Sequence, residues 1–135
     1  WDAGPQAGFS TAAQTWLPVN PNHVAINVEA QEKDSQSILH FYRKMIRLRA
    51  DALDLIYGDY LDYDPSHPSI FCYRRGSAER GYLTLLNFAE NMVDYSLPPL
   101  RELELLVSNR DMNGGSRIDP WEARLYRYGV FVDVH

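Results

Sequence analysis

The chain has 135 residues, of which 45% are apolar and 23% charged, with a formal net charge of -5. That length suits one domain, or one small domain with part of another, and no apolar run reaches the roughly 20 residues of a membrane-spanning helix. A negative balance without clustered cations argues against nucleic acid as a partner, because phosphate binding depends on such clusters.

Taken from its start, the chain is dense in backbone punctuators: Gly4, Pro5, Gly8, Pro18, Asn20, Pro21 and Asn22. They predict a long irregular loop over the first thirty residues, a kind of segment that is usually functional or held by a larger scaffold. Trp1 and Phe9 bracket its Gly- and Pro-rich part with nothing before them to pack on. The expectation is therefore a carboxy-terminal piece of a longer protein.

Next the period changes. Ile38, Phe41, Tyr42, Met45, Ile46, Leu48 and Ala52 follow helical spacing, which predicts a helix over about 35–53 with Asp34 or Ser35 as its amino-terminal cap. Arg43, Lys44, Arg47 and Arg49 fall in its latter part, where cations complement the negative end of the helix dipole. No proline follows Arg49, so the helix is expected to run on toward Leu55. Its apolar stripe is broad and demands a sizeable partner surface. Left without one, the stripe is expected to drive self-association through the helix at 35–53, or to fold back on the rest of the chain.

After Gly58 the pattern predicts strands near 59–63, 69–75, 80–88, 92–97, 102–107 and 122–128, separated by turn clusters such as RGSAERG and SNRDMNGGSRIDP. Glu102, Leu103, Glu104 and Leu105 alternate as one strand with a polar and an apolar face. Gly114 and Gly115 suit a hairpin turn rather than a phosphate cradle, and the tail from Gly129 to His135 alternates weakly, as an edge strand would. Short strands at this spacing predict a mainly β fold, an antiparallel β-sandwich of Greek-key type.

Few residues here suggest chemistry of their own. Cys72 is the one cysteine, sits between Phe71 and Tyr73, and is expected to be a reduced core thiol. His23, His40, His67 and His135 are scattered, and Asp62 and Asp64 begin no calcium loop because Pro65 and Pro68 interrupt it. No metal and no cofactor are expected. Tyr57, Tyr60, Tyr63 and Tyr73 raise the alternative of a carbohydrate-binding surface, but a spacing of three cannot put all of the first three on one face of a regular strand. Core and edge packing is the expectation for them.

The motifs themselves carry a resemblance. Trp1-Asp2, Ala7 to Phe9, Trp16 to Asn22 and Asn27 to Gln31 stand in one order, followed by the helix SILHFYRKMIRLR, the turn YGDY and the segment PWEARLYRY. In that order they resemble the alpha-glucosidase branch of the alpha-amylase family of glycoside hydrolases, which includes oligo-1,6-glucosidases, maltases and sucrose isomerases. The resemblance implies that residues 1–57 are the loop after the last strand and the last helix of a truncated (β/α)8 barrel, and that 58–135 form the sandwich after it. It implies a parent enzyme that hydrolyses alpha-glucosidic bonds of oligosaccharides with retention, and the single reduced Cys72 is compatible with a cytoplasmic location.

On this resemblance the nucleophile, the acid and the stabilising carboxylate all lie upstream, so the catalytic residues in this chain are none. Asp2 is the best candidate for contact with substrate, because loops after barrel strands open on the active-site face; a loop-fixing role accepting backbone amides fits it as well. Trp1, Phe9 and Trp16 are stacking candidates in the same place, with packing on the barrel rim as the plainer role. The expected partners are the missing barrel part of the same protein and an alpha-glucoside oligosaccharide, with no nucleic acid and no membrane. A sucrose isomerase or trehalose synthase shares these loop motifs, and a non-catalytic carbohydrate-binding or assembly domain is the further alternative.

Overall fold

The structure is a computed structural model that describes residues 1–110 and 115–129. The chain divides into two compact units, Trp1–Asp51 and Ala52–His135. The expected turn at Gly114-Gly115 and the expected tail strand from Gly129 fall wholly or partly outside the described residues, as does His135.

In the first unit two short 3-10 turns, Pro5–Gly8 and Pro21–Val24, interrupt the predicted loop. A helix that periodicity did not predict, α1 (Val28–Lys33), then forms. Its cause is Asn27, whose buried side chain accepts the Ala30 amide at 2.8 Å and donates to the Asn20-turn carbonyl of His23 at 2.8 Å. A side-chain oxygen at this position satisfies one of the free amides of a helix start. Glu29 and Lys33 add an ion pair at 2.6 Å along the same helix.

The long helix, α2, covers Ile38–Asp51, shorter at both ends than the predicted 35–53. Its cap is Ser37 rather than Asp34 or Ser35. The Ser37 hydroxyl accepts the His40 amide and its carbonyl the Phe41 amide, while the Gln31 carboxamide accepts the Leu39 amide at 3.1 Å. Asp34 is occupied one turn earlier, where its carboxylate accepts the Gln36 amide at 2.9 Å. At the other end Ala52 is extended, so α2 does not continue to Leu55 and a separate helix, α3 (Leu53–Tyr57), begins instead. Arg43 of α2 clasps the Glu32 carboxylate through two hydrogen bonds of 2.7 and 2.8 Å. These bonds hold Glu32 below the ordinary carboxylate range and tie α1 to α2. No residue of α2 is buried, and Ile38 at its start is 81% exposed.

The second unit is an antiparallel sheet in the order β1 (Tyr60–Asp62), β2 (Ile70–Gly76), β3 (Gly81–Asn87), β7 (Ala123–Tyr128), β5 (Glu104–Ser108). A two-stranded ribbon, β4 (Val93–Asp94) with β6 (Arg117–Ile118), accompanies it. Strand alternation sends Ile70 and Cys72, Leu83 and Leu85, and Tyr126 and Tyr128 to one face, where they form a single core with Ile118 of the ribbon. Burial pushes the Cys72 thiol up to about 11, which keeps it protonated as a core thiol must be. Glu102 does not join the predicted alternation: it lies outside β5 with φ of 52°, and a register shift between Leu105 and Val107 marks a bulge. β6 was not predicted, because its two residues lie in a stretch otherwise rich in turn formers.

The β2–β3 hairpin closes over Ser77 to Arg80, with the Ser77 amide donating to the Arg80 carbonyl at 2.9 Å. Glycine is required at Gly81, where φ is +155° and an added Cβ would lie 2.3 Å from the Arg75 carbonyl. The Tyr128 hydroxyl reaches the Ser77 carbonyl at 2.6 Å and so fastens β7 to this turn. On the opposite face α3 is held by Arg75, which donates to the Ile56 carbonyl at 2.9 Å.

Buried among these strands is an ion pair. Glu122 and Arg124 are 1% and 2% exposed, and Arg124 Nε donates to Glu122 Oε1 at 2.6 Å. The remaining valences are filled: Glu122 accepts from the Asp119 amide at 2.8 Å and the Ser108 hydroxyl at 3.2 Å, while Arg124 donates to the carbonyls of Arg117, at 2.6 Å, and Gly115. Burial raises the Glu122 carboxyl, but Arg124 and the Asp119 amide outweigh it and hold the group below the ordinary range.

Glu122→Ala leaves a buried guanidinium without its partner, a loss of about 3–5 kcal/mol, read as a lower midpoint in urea unfolding. Replacing both residues by methionine restores most of that loss, because no charge is then stranded. Since the folded Glu122 titrates below its unfolded value, its contribution is complete above the ordinary carboxylate pKa of about 4.3. It is lost as pH falls through the folded value. In the Glu122→Gln protein this part of the acid dependence of the midpoint disappears.

Candidate functional site

The site begins with a backbone conformation. Gln6, Ala7 and Gly8 have successive φ values of 53°, 52° and 72°, in the left-handed region, where residues other than glycine are uncommon. Asp2 is what holds them there. Its amide donates to the Ala7 carbonyl at 3.1 Å, its Oδ1 accepts the Gly4 amide at 2.8 Å, and the Ala7 amide closes onto the Gly4 carbonyl at 3.0 Å. The half-buried carboxylate sits so far into the turn that a Cβ on Gly8 would lie 2.5 Å from Oδ2. Gln6 then reaches across to the Ala13 carbonyl at 3.2 Å.

Trp1 links this turn to α1. Its indole N–H donates to the Ile26 carbonyl at 3.3 Å, and its own carbonyl accepts the Glu29 amide at 3.1 Å in the first turn of the helix. Trp1 and Phe9 face one another with ring centroids 5.8 Å apart and planes inclined at 48°. Both line an open cavity of about 620 Å³ whose other walls include Trp16, Leu17, His23 and Ile26. Trp16 is 95% exposed and Phe9 68%. Asn20 is a turn-former, its side chain accepting the Asn22 amide at 3.2 Å, and the His23 ring donates to the Asn20 carbonyl at 2.9 Å.

Of the residues singled out in the sequence, Trp1, Phe9 and Trp16 therefore share one cavity, while Asp2 is not in its lining and organises the turn. Ile26 and His23 belong to the same cavity and were not anticipated. The only sequence signal for them was the helix start at Asn27, which brings residues twenty-odd positions after Trp1 back beside it. The site offers apolar faces and few polar groups, the usual composition of a small-molecule pocket. It does not offer hydrolysis: a retaining glycosidase needs two carboxyl groups about 5–5.5 Å apart, and among the residues that line this cavity none is acidic. Glu29 and Glu32 are engaged in ion pairs with Lys33 and Arg43. Among the described residues no cluster of three His, Cys, Asp or Glu could hold a metal ion.

Comparison with known proteins places this geometry. Residues 1–58 match the family model for the alpha amylase catalytic domain. An oligo-1,6-glucosidase from Parageobacillus thermoglucosidasius is 37% identical over 135 residues, covering 94% of this chain and 24% of that protein. An alpha-glucosidase from Candida albicans is 33% identical over 129 residues, covering 93% of this chain and 22% of its own length. Among solved structures, a mutant isomaltulose synthase from Erwinia rhapontici NX5 in complex with D-glucose superposes with a TM-score of 0.85 at 32% identity, over 96% of this chain and 24% of that one. The chain thus spans about a quarter of the length of the relatives it matches.

Because Asp2 and Gly8 build the turn together, both Asp2→Ala and Gly8→Ala are expected to open it, each at about 1–2 kcal/mol. Asp2→Asn, which keeps an oxygen acceptor for the Gly4 amide, loses less. The change is measured as faster amide exchange at Gly4 and Ala7 and as a red shift of Trp1 fluorescence. Unchanged exchange in Asp2→Ala would show that the carboxylate does not organise the loop.

Proposed function

This chain belongs to the alpha-amylase family of glycoside hydrolases, and we propose that the intact protein hydrolyses alpha-glucosidic bonds of oligosaccharides with retention. The observation that carries this is the 37% identity to an oligo-1,6-glucosidase, maintained over 94% of the chain. Retention requires a carboxylate nucleophile and a carboxylic acid on opposite sides of the scissile bond, and the part of the protein outside this chain supplies them. Within the chain, residues 1–57 complete the catalytic barrel and 58–135 form the domain that follows it. The match of residues 1–58 to a catalytic-domain model supports that boundary.

Trp1 and Phe9 stand at the entrance to the substrate site, offering ring faces to a glucosyl unit. Asp2 acts through them as a positioning residue, since its carboxylate is used by the turn. The exposed stripe of α2, with Ile38, Phe41 and Ile46, is the surface on which the rest of the barrel packs. At about 25 cal/mol per Å² of apolar area, leaving such side chains in water forgoes several kcal/mol, so the isolated chain self-associates through α2. Among the described residues no helix is long and apolar enough to cross a membrane, and the buried free thiol of Cys72 suits a cytoplasmic protein.

A second reading has its own support: the isomaltulose synthase likeness, at 32% identity and a TM-score of 0.85, favours a sucrose isomerase. The two are separated by the products of the intact protein. Hydrolysis with retention releases alpha-glucose first from maltose or isomaltose, as followed by anomeric NMR signals, whereas isomerisation converts sucrose to another disaccharide. Release of the beta anomer first would overturn the retaining assignment. The isolated chain is expected to be inert in both assays and to sediment as an oligomer, with Ile38→Asp and Ile46→Asp returning it to a monomer.

A further inference from the structure

We propose that the sheet unit carries a sugar-binding site of its own, beside the start of β2, that takes a neutral alpha-glucoside oligosaccharide. The choice of sugar rests on the functional reading above, while the site rests on geometry. An open cavity of about 220 Å³ lies there, with Asp62, Asp64, His67, Phe71 and Phe88 in its walls. That volume is below the usual range for drug-sized ligands, and so suits one sugar ring with the rest of the chain lying along the surface.

The surface beside it is aromatic. Phe71 and Tyr73 point away from the core face of β2, since Ile70 and Cys72 between them point into it. Their ring centroids are 4.8 Å apart at an inclination of 37°, and the Tyr60 ring on neighbouring β1 follows at 5.5 Å and 35° from Tyr73. Three shallowly tilted rings thus run out from the cavity. Tyr60 is 53% exposed and Phe88, in the cavity wall, 58%.

Polar groups at the cavity are fixed and of one kind. The Asp62 carboxylate accepts the Asp64 amide at 3.1 Å, and His67 Nδ1 accepts the amides of Ser69 and Ile70 at 3.2 and 2.8 Å. That leaves His67 Nε2–H as a donor, and the carboxylates as acceptors for hydroxyl groups. No Lys or Arg lines the cavity, so nothing there compensates a phosphate or carboxylate ligand, which two acidic residues would repel. A cation is disfavoured as well, because no three potential metal ligands converge among the described residues. Ring faces beside hydroxyl acceptors, without cations, are the complement of an uncharged sugar.

Saturation-transfer NMR of maltose and of isomaltose over this chain tests the proposal. Tyr60→Ala and Phe88→Ala, both at exposed positions that the core does not use, are each expected to raise the half-saturating concentration about 2- to 12-fold. Tyr60→Phe keeps the ring and binds as the parent does, and the loss caused by Tyr60→Ala is of the same size when Trp1→Ala is also present. Absence of transfer, or transfer lost only in Trp1→Ala, would overturn the site, the second result placing the sugar on the loop of the first unit. Transfer to cellobiose in place of maltose would overturn the ligand assignment. None of these outcomes bears on the hydrolase reading, which is decided by the products of the intact protein.

Discussion

The buried pair of Glu122 and Arg124 is the interaction around which the second unit is arranged. An ion pair in a core is a poor source of stability in itself, because desolvation offsets the attraction. What it does here is specify position. Arg124 has more donors than Glu122 can accept, and the surplus goes to the carbonyls of Arg117 and Gly115, while Glu122 takes the Asp119 amide. Asn87 at the end of β3 adds donations to the carbonyls of Asp119, at 2.9 Å, and Ile118, at 3.3 Å. A segment of only two strand residues is thereby held against the large sheet, and fully buried Ile118 can complete the core. Without that polar frame, the ribbon has too few ladder bonds to hold its place.

The first unit depends on a comparable device with weaker cover. Asp2 draws three left-handed residues around its carboxylate, and Trp1 ties the turn to the start of α1. Local hydrogen bonds, rather than a core, therefore shape the loop. Ala7, Asn27 and Ser37 are its only buried residues, and two of them are polar groups serving turns and caps. The consequence is a surface rich in exposed rings and in the apolar stripe of α2. An apolar stripe of this breadth calls for a partner surface, which is the role that the proposed barrel would fill.

The two units also divide the chemistry. In the first, aromatic side chains surround a cavity with no acid among its lining residues, and its polar groups, Asn20 among them, are used by the turn. In the second, the carboxylates of Asp62 and Asp64 lie in the walls of a small cavity beside a row of rings.

Much of the fold was legible in order along the chain. The sequence pattern located six of the strands to within a few residues, most plainly Ile70 to Arg75 and Gly81 to Asn87, which need only a two-residue period to reveal a buried face. Helical spacing located α2, although its cap was read two or three residues early: Asp34, Ser35 and Ser37 all have suitable oxygens, and only Gln31, arriving from α1, decides which turn is covered. The motifs around Trp1 and Phe9 placed the candidate site, and of the two roles that the sequence left open for Asp2 the structure displays the loop-fixing one, its carboxylate accepting the Gly4 amide. β6 was invisible, because a two-residue strand carries no period, and its burial comes from Arg124 and Asn87. What the sequence determined alone was whatever depends on neighbours within a few positions: period, caps, turns and family motifs. The tertiary structure decided whatever depends on residues far apart in the chain meeting in space, from Ile26 beside Trp1 to Tyr60 beside Tyr73, because nothing local encodes those distances.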